Sequence, residues 1–358
     1  MRRRNFVRIG VLSALGLNLG LRRNNGDTLS NSPFQSSRKK VTKPKRLSKG
    51  SKVGVIAPAS FITEEDFQKI ESNLKSLDLV SIPSKNLFEK LGYLAGKDNL
   101  RVEDIHEMFS RKDIDGIICA RGGYGTSRIL RMVDYNLIRR NPKVFIGYSD
   151  ITTLLVAIHV KTGLVTFHGP VGISTFNEFT KKYFIEVLFE DKQNLELISE
   201  QENSTDDNSS INGILKIKFG KAQGKLIGGN LSLLQTLFCT EFDFDLSDKI
   251  LFIEEVEEEP YRIDRILTHF LNTNKLGRCK GIAMGVFSNC EVKSQNPAFS
   301  ESLNLYEVLM DRFSAIDIPI IYGLSFGHIK NKFTLPIGIK AELDVNNEKL
   351  ILLESAVI

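Results

Sequence analysis

The stretch Lys143-Val-Phe-Ile-Gly-Tyr-Ser-Asp150, continued by Ile151-Thr-Thr-Leu-Leu-Val-Ala-Ile-His159, decides the fold class. An apolar strand pattern stops at Gly147, and a helical pattern begins just past Ser149. A strand feeding a helix through so short a turn is the repeating unit of a parallel sheet with helices on its faces. Ligands of such sheets bind at the carboxyl ends of the strands. Ser149 stands at such an end, where its side chain projects off the sheet and the amides of the helix start can hold a developing oxyanion. Taken alone, Ser149-Asp150 also reads as a simple helix cap, since Ser and Asp are preferred N-cap residues.

Working outward, Lys52-Val-Gly-Val-Ile-Ala-Pro-Ala-Ser60 is a first apolar strand ending in small residues. Residues 64–77 form an amphipathic helix pattern, 79–83 a short strand, 99–109 a helix, and 116–120 and 143–147 buried strands. The alternation predicts a parallel sheet. The strand at Ile117-Ile-Cys-Ala120 runs into Arg121-Gly-Gly-Tyr-Gly125, whose three glycines let the backbone approach a ligand and present N–H groups. It is neither a dinucleotide fingerprint nor a P-loop. Beside Ser149, such a loop supplies the second half of an oxyanion hole.

The segment 191–212 is polar and acidic and reads as a linker. Beyond it the pattern is richer in strands, at 213–219, 224–227, 250–254, 281–286, 318–322 and 340–343, with helices around 231–239 and 261–272. Lys249-Ile-Leu-Phe-Ile253 ends in Glu254-Glu255, and Pro319-Ile-Ile-Tyr-Gly-Leu-Ser-Phe-Gly327 leads to His328. A carboxylate and an imidazole at strand ends are the orienter and base that a serine nucleophile needs. Glu254 also opens a five-acid cluster that reads as a solvated face.

Charge is unevenly spread. Residues 1–50 hold 13 Lys/Arg against the single acid Asp27, while the other 308 hold 35 against 42, so the folded body is slightly acidic and no nucleic-acid partner is expected. Arg2-Arg-Arg-Asn-Phe-Val-Arg8 and the apolar run Ile9–Leu21 look like a twin-arginine export signal, too short for a membrane span. The division expected is an export signal at 1–30, a basic linker at 31–51, an N-terminal domain at 52–190, a linker at 191–212 and a C-terminal domain at 213–358. Export to the periplasm follows, with the cytoplasm as alternative. Cys119, Cys239, Cys279 and Cys290 lack metal or redox spacing and read as buried thiols, and the five histidines form no ligand pair, so no metal and no cofactor are expected.

Six blocks together resemble a known family. Ala120-Arg-Gly-Gly-Tyr-Gly-Thr-Ser-Arg128, Ile146-Gly-Tyr-Ser-Asp150, Thr166-Phe-His-Gly-Pro170, Gly228-Gly-Asn-Leu231, Ile253-Glu-Glu-Val-Glu-Glu-Glu-Pro-Tyr-Arg-Ile-Asp-Arg265 and Gly323-Leu-Ser-Phe-Gly-His328 are similar to the LD-carboxypeptidases, the murein tetrapeptide carboxypeptidase and microcin C immunity type of serine peptidase. The resemblance runs over about residues 53–343. It implies an α/β fold with an N-terminal parallel-sheet domain, flavodoxin- or glutamine-amidotransferase-like, and a strand-rich α/β C-terminal domain. It also implies Ser149 as nucleophile, Glu254 and His328 as its partners, and an oxyanion hole of backbone N–H groups at Gly123 and Asp150. Tyr148 stands where some members have histidine, and Glu255 where many have aspartate.

The substrate implied is a peptidoglycan-derived tetrapeptide, cut before its terminal D-alanine, and a homodimer is expected. Arg121, Tyr124, Asn230 and Arg262 are the candidates for binding it. Two rivals stand beside this reading. An immunity hydrolase acting on a peptidyl-nucleotide antibiotic asks for an aromatic stacking pocket, and the chain has no Trp. A catalytically silent murein-binding module would not need all three triad positions filled.

Overall fold

The computed structural model describes residues 40–200, 210–293 and 301–358. The strands of the first half are β1 (Lys52–Ile56), β2 (Val80–Pro83), β3 (Gly116–Cys119), β4 (Val144–Gly147) and β5 (Thr166–His168). Those of the second are β6 (Leu195–Ile198), β7 (Leu215–Lys218), β8 (Lys221–Asn230), β9 (Lys249–Val256), β10 (Gly281–Ser288), β11 (Ile320–Gly327), β12 (Leu335–Ile337), β13 (Lys340–Asp344) and β14 (Lys349–Leu352). The helices are α1 (Glu64–Lys75), α2 (Asp98–Ser110), α3 (Thr126–Ile129), α4 (Tyr135–Arg140), α5 (Thr152–Thr162), α6 (Glu178–Leu188), α7 (Leu231–Gln235), α8 (Pro260–Asn272) and α9 (Leu305–Phe313).

In the first sheet β5-β4-β3-β1-β2 are mutually parallel, and β12 pairs antiparallel to β5 at the edge. Every residue of β3 and β4 is buried, as strands covered on both faces must be. The second sheet runs β6-β14-β13-β8-β9-β10-β11-β7, parallel from β8 to β11 and antiparallel on its flanks. The chain is therefore a two-part α/β protein with a parallel first sheet and a strand-rich second part.

Helix α1 is apolar on one stripe and is opened by a capping box in which Thr63 and Asp66 satisfy each other's backbone N–H. Helix α5 differs, because residues Thr152 to Ile158 are all buried. Sheet one lies on one side of it and β8 and α7 on another. Its unbroken apolar run is what burial on every side requires.

The two halves interlock more than the sequence pattern suggests. Residues 39–358 cluster as one unit with a continuous hydrophobic core, rather than two cores parted by a linker. Strand β12 comes from the second half yet completes the first sheet, with Leu335 opposite His168. The Asn230 N–H at the end of β8 donates to Thr152 Oγ1 at the start of α5 (3.0 Å). Part of the expected acidic linker is strand β6, which pairs with β14 and buries Leu195 and Leu197. Part of the expected basic linker is also held: Thr42 N–H donates to the Gly163 carbonyl, Val165 N–H to the Thr42 carbonyl, and Leu47 is buried. The expected export signal lies outside the described residues.

Candidate active site

Strand β4 ends at Gly147, and Ser149 takes a left-handed backbone conformation, φ 63°, before a 3₁₀ turn at Ser149–Ile151 leads into α5. A non-glycine residue in that region costs on the order of 1–3 kcal/mol and persists only where its surroundings impose it. The strain lifts the hydroxyl off the sheet end, as in a nucleophile elbow. The simple cap reading fails, because the starts of the 3₁₀ turn and of α5 carry no side-chain cap bond.

The glycine loop presses directly on this serine. A Cβ placed on Gly122 would lie 2.8 Å from Ser149 Cβ and 3.0 Å from its Oγ. At Gly123, φ 117°, a Cβ would sit 2.1 Å from Ser60 Oγ. A side chain at either position would collide, with Ser149 at Gly122 and with Ser60 at Gly123, so the loop meets Ser149 without a side chain between them at Gly122. Asp150, buried, ties the two segments together: its Oδ2 accepts from Thr126 N–H (2.9 Å), and Thr126 Oγ1 donates to the Asp150 carbonyl (2.5 Å). Burial pushes the Asp150 carboxyl up.

Glu254 and His328 come from the second sheet, at the ends of β9 and β11, which both flank β10. The His328 Nδ1 lies 2.8 Å from Glu254 Oε2, and Glu254 is fully buried. A proton held on Nδ1 by this carboxylate leaves Nε2 as the nitrogen that can accept one. Successive strand residues point to opposite faces. Glu255 accordingly turns away, accepting from Asn230 Nδ2 (2.8 Å), Ser232 N–H (2.8 Å) and Val256 N–H (2.9 Å). Burial, with a contribution from Glu254, pushes Glu255 up to about 7 against these donors. These two acids are thus interior residues rather than a solvated face.

Ser149 and His328 line one cavity of about 340 Å³, together with Arg121, Gly122, Gly123, Tyr148, Ser174 and Lys332. The Tyr148 ring lies 4.9 Å from the His328 ring and 6.1 Å from that of His168, which burial pushes down to about 4. A larger surface groove of about 600 Å³, lined by Lys40, Thr42, Lys225, Lys340 and Glu354, carries no nucleophile and base. Among the described residues no three His, Cys, Asp or Glu side chains are grouped to hold a metal.

The four candidate binding residues separate. Arg121 is in the cavity wall, 3.5 Å from the Phe61 carbonyl, with no carboxylate within 4 Å among the described residues. Tyr124 is exposed beside the glycine loop, its ring 5.6 Å from that of Tyr93. Asn230 is buried and spent on structure: it caps α7 through Leu233 N–H and donates to Glu255. Arg262 is on the surface, against Glu258 and the Tyr261 hydroxyl. Lys332, unread in the sequence, lines the cavity instead; it sits in an irregular turn without a periodic signal. Cys239 is also a correction, exposed at φ 60° past the short α7, whereas the other three thiols are buried.

The chain matches the family model of the LD-carboxypeptidase N-terminal domain over residues 53–169 and that of the C-terminal domain over 223–343. It belongs to the LD-carboxypeptidase family. The "Probable murein peptide carboxypeptidase" of Bacillus subtilis is 39% identical to it over 324 residues, 88% of this chain and 95% of that one. The "Microcin C7 self-immunity protein MccF" of Escherichia coli is 30% identical over 284 residues, 73% of this chain and 80% of that one. In structure, an MccF-like protein from Bacillus anthracis superposes with a TM-score of 0.76 at 30% identity, covering 87% of this chain and 99% of the other. As an LD-carboxypeptidase, the protein is a serine-type hydrolase of peptides.

Proposed function

We propose that this LD-carboxypeptidase removes the terminal D-alanine from murein tetrapeptides, cutting the L,D bond that follows the stem's diaminopimelate or lysine residue. His328 takes the Ser149 proton as Oγ attacks the carbonyl carbon; the Gly123 and Asp150 N–H groups stabilise the oxyanion. The C–N bond then breaks, the proton passes from His328 to the leaving amine, and D-alanine departs. Water attacks the resulting ester, its proton returning through His328 to Ser149. Glu254 holds the imidazole in the right tautomer and faces its positive charge. Arg121 and Tyr124 flank the stem peptide.

The observation that carries the reading is the left-handed Ser149 sharing a cavity with an imidazole bonded at 2.8 Å to a fully buried carboxylate. Among the relatives, the one 39% identical is named for murein peptides. Hydrolysis of a peptidyl nucleotide has a relative in its favour at 30% identity, but the cavity's aromatic ring, Tyr148, is packed against two histidines rather than open for stacking. Incubating the full chain with purified muropeptide tetrapeptide and following mass tests the reading: loss of one alanine is expected, and an unchanged tetrapeptide rejects it. Export through Arg3-Arg4 and a homodimer belong to the same reading; fractionation of an Arg3→Lys/Arg4→Lys variant and sedimentation test them.

A further inference from the structure

We propose that Lys332 receives the carboxylate of the departing D-alanine, and so makes the site one for chain ends rather than for internal bonds; this rests on the murein reading above. The leaving nitrogen must come within hydrogen-bond reach of His328 Nε2 to be protonated. The terminal carboxylate is one carbon from that nitrogen, so it lies within roughly 6 Å of the imidazole, on the His328 side of the cavity. Whatever receives it must be a cation or a set of amides on that side.

Lys332 meets this requirement. It follows His328 by four residues in the same turn and lines the cavity that holds Ser149. It is 6% exposed, so its charge acts where water screens it little. Its ammonium is 5.5 Å from the centre of the Tyr148 ring, which also lies 4.9 Å from the His328 ring and 6.1 Å from that of His168. Lysine and histidine thus both lie against the one tyrosine ring. The turn is built to hold the lysine in place: its N–H donates to Thr180 Oγ1 (3.1 Å) and its ammonium to the Ile329 carbonyl. Holding the cation in advance lowers the cost of ordering it when substrate binds. Arg121, which also lines the cavity, is next in the chain to Gly122, the glycine that lies against Ser149. Tyr148 is the ring against which the ammonium rests.

The test compares the tetrapeptide with its C-terminal amide, using wild type, Lys332→Met and Lys332→Arg, with the single-turn readout of D-alanine or D-alaninamide released. Wild type is expected to favour the acid at least tenfold in kcat/KM, mainly through KM. In Lys332→Met that preference falls to about one, with KM for the acid raised at least tenfold and kcat for it within about threefold; Lys332→Arg restores the preference. Equal losses for acid and amide in Lys332→Met would mean that the lysine only braces its turn, and would overturn the inference alone. So would a wild type that handles acid and amide alike, a result that needs no variant to fold. A wild type that releases nothing from either peptide overturns the murein reading and this inference together.

Discussion

Ser149 and His328 reach one cavity by opposite routes. The serine is set by its immediate neighbours: a buried strand, a four-residue link holding the 3₁₀ turn, a helix start, and a glycine loop whose Gly122 leaves no room for a side chain against it. The histidine has no such local cause. It ends β11, and it is oriented by a carboxylate 74 residues earlier, across an intervening strand. The geometry of the serine is a matter of local sterics, whereas that of the histidine depends on how the second sheet docks on α5. A local motif tolerates distant change and fails on small local change; the docked half behaves in the reverse way.

The largest effect should be symmetrical, because the proposed mechanism uses both residues in one step. Ser149→Ala and His328→Ala are each expected to lower kcat by roughly 10⁴–10⁶-fold, Glu254→Gln by about 10³–10⁴-fold, and the Ser149→Ala/His328→Ala double variant no further than either single. Retention of more than about a tenth of turnover in Ser149→Ala would move the nucleophile elsewhere.

A smaller effect separates the halves. Gly122→Ala puts a methyl 3.0 Å from Ser149 Oγ without altering the distant pair. Turnover should fall roughly 10²-fold, the scale of one oxyanion-hole contact, with little change in melting temperature. A variant that melts early but keeps its kcat would show that the loop serves folding instead.

Asn230→Ala is the converse. It removes the α7 cap and one Glu255 donor at the junction with Thr152, and should cost about 2–3 kcal/mol in denaturant unfolding. Stability unchanged within about 0.5 kcal/mol would deny the junction its importance.

The smallest expected effect is on the pH dependence of melting. Burial pushes His159 and His168, both in the first half, down to about 4. Their folded forms prefer to be neutral, so this stability is fully present above about 6.5 and is lost as pH falls toward 4. One unit below 6.5 each contributes a loss of about 1 kcal/mol, and His159→Gln should flatten that acid limb. Glu255, pushed up to about 7, has the opposite sign: its term is present below about 4.5 and is lost as pH rises through about 7. Glu255→Gln that steepens the fall above pH 4.5 would contradict this assignment.

What was legible follows the same division. Helix 99–109 and strands 116–120 and 143–147 read almost to their final bounds, since their burial follows from a continuous apolar run. Strand β6 was hidden in a polar segment because its pattern of alternate burial spans only four residues. Strand β12 carries no sign that it crosses to the other sheet. Asn230 and Arg262 looked equivalent as polar residues in matched blocks, yet one is consumed at a helix start and the other faces solvent.

By itself the sequence determined the parallel first sheet, the serine at its turn, the glycine loop beside it and, through six matched blocks, the family. These are set by residue order and local backbone sterics, which act within a few positions. The tertiary structure alone decided that the two halves share one core, that Glu254 turns to His328 while Glu255 turns to α7, and that Lys332 lines the cavity. Those outcomes depend on strand pairing and on the face each side chain takes after docking, and contacts between residues far apart in the chain leave no periodic trace in it.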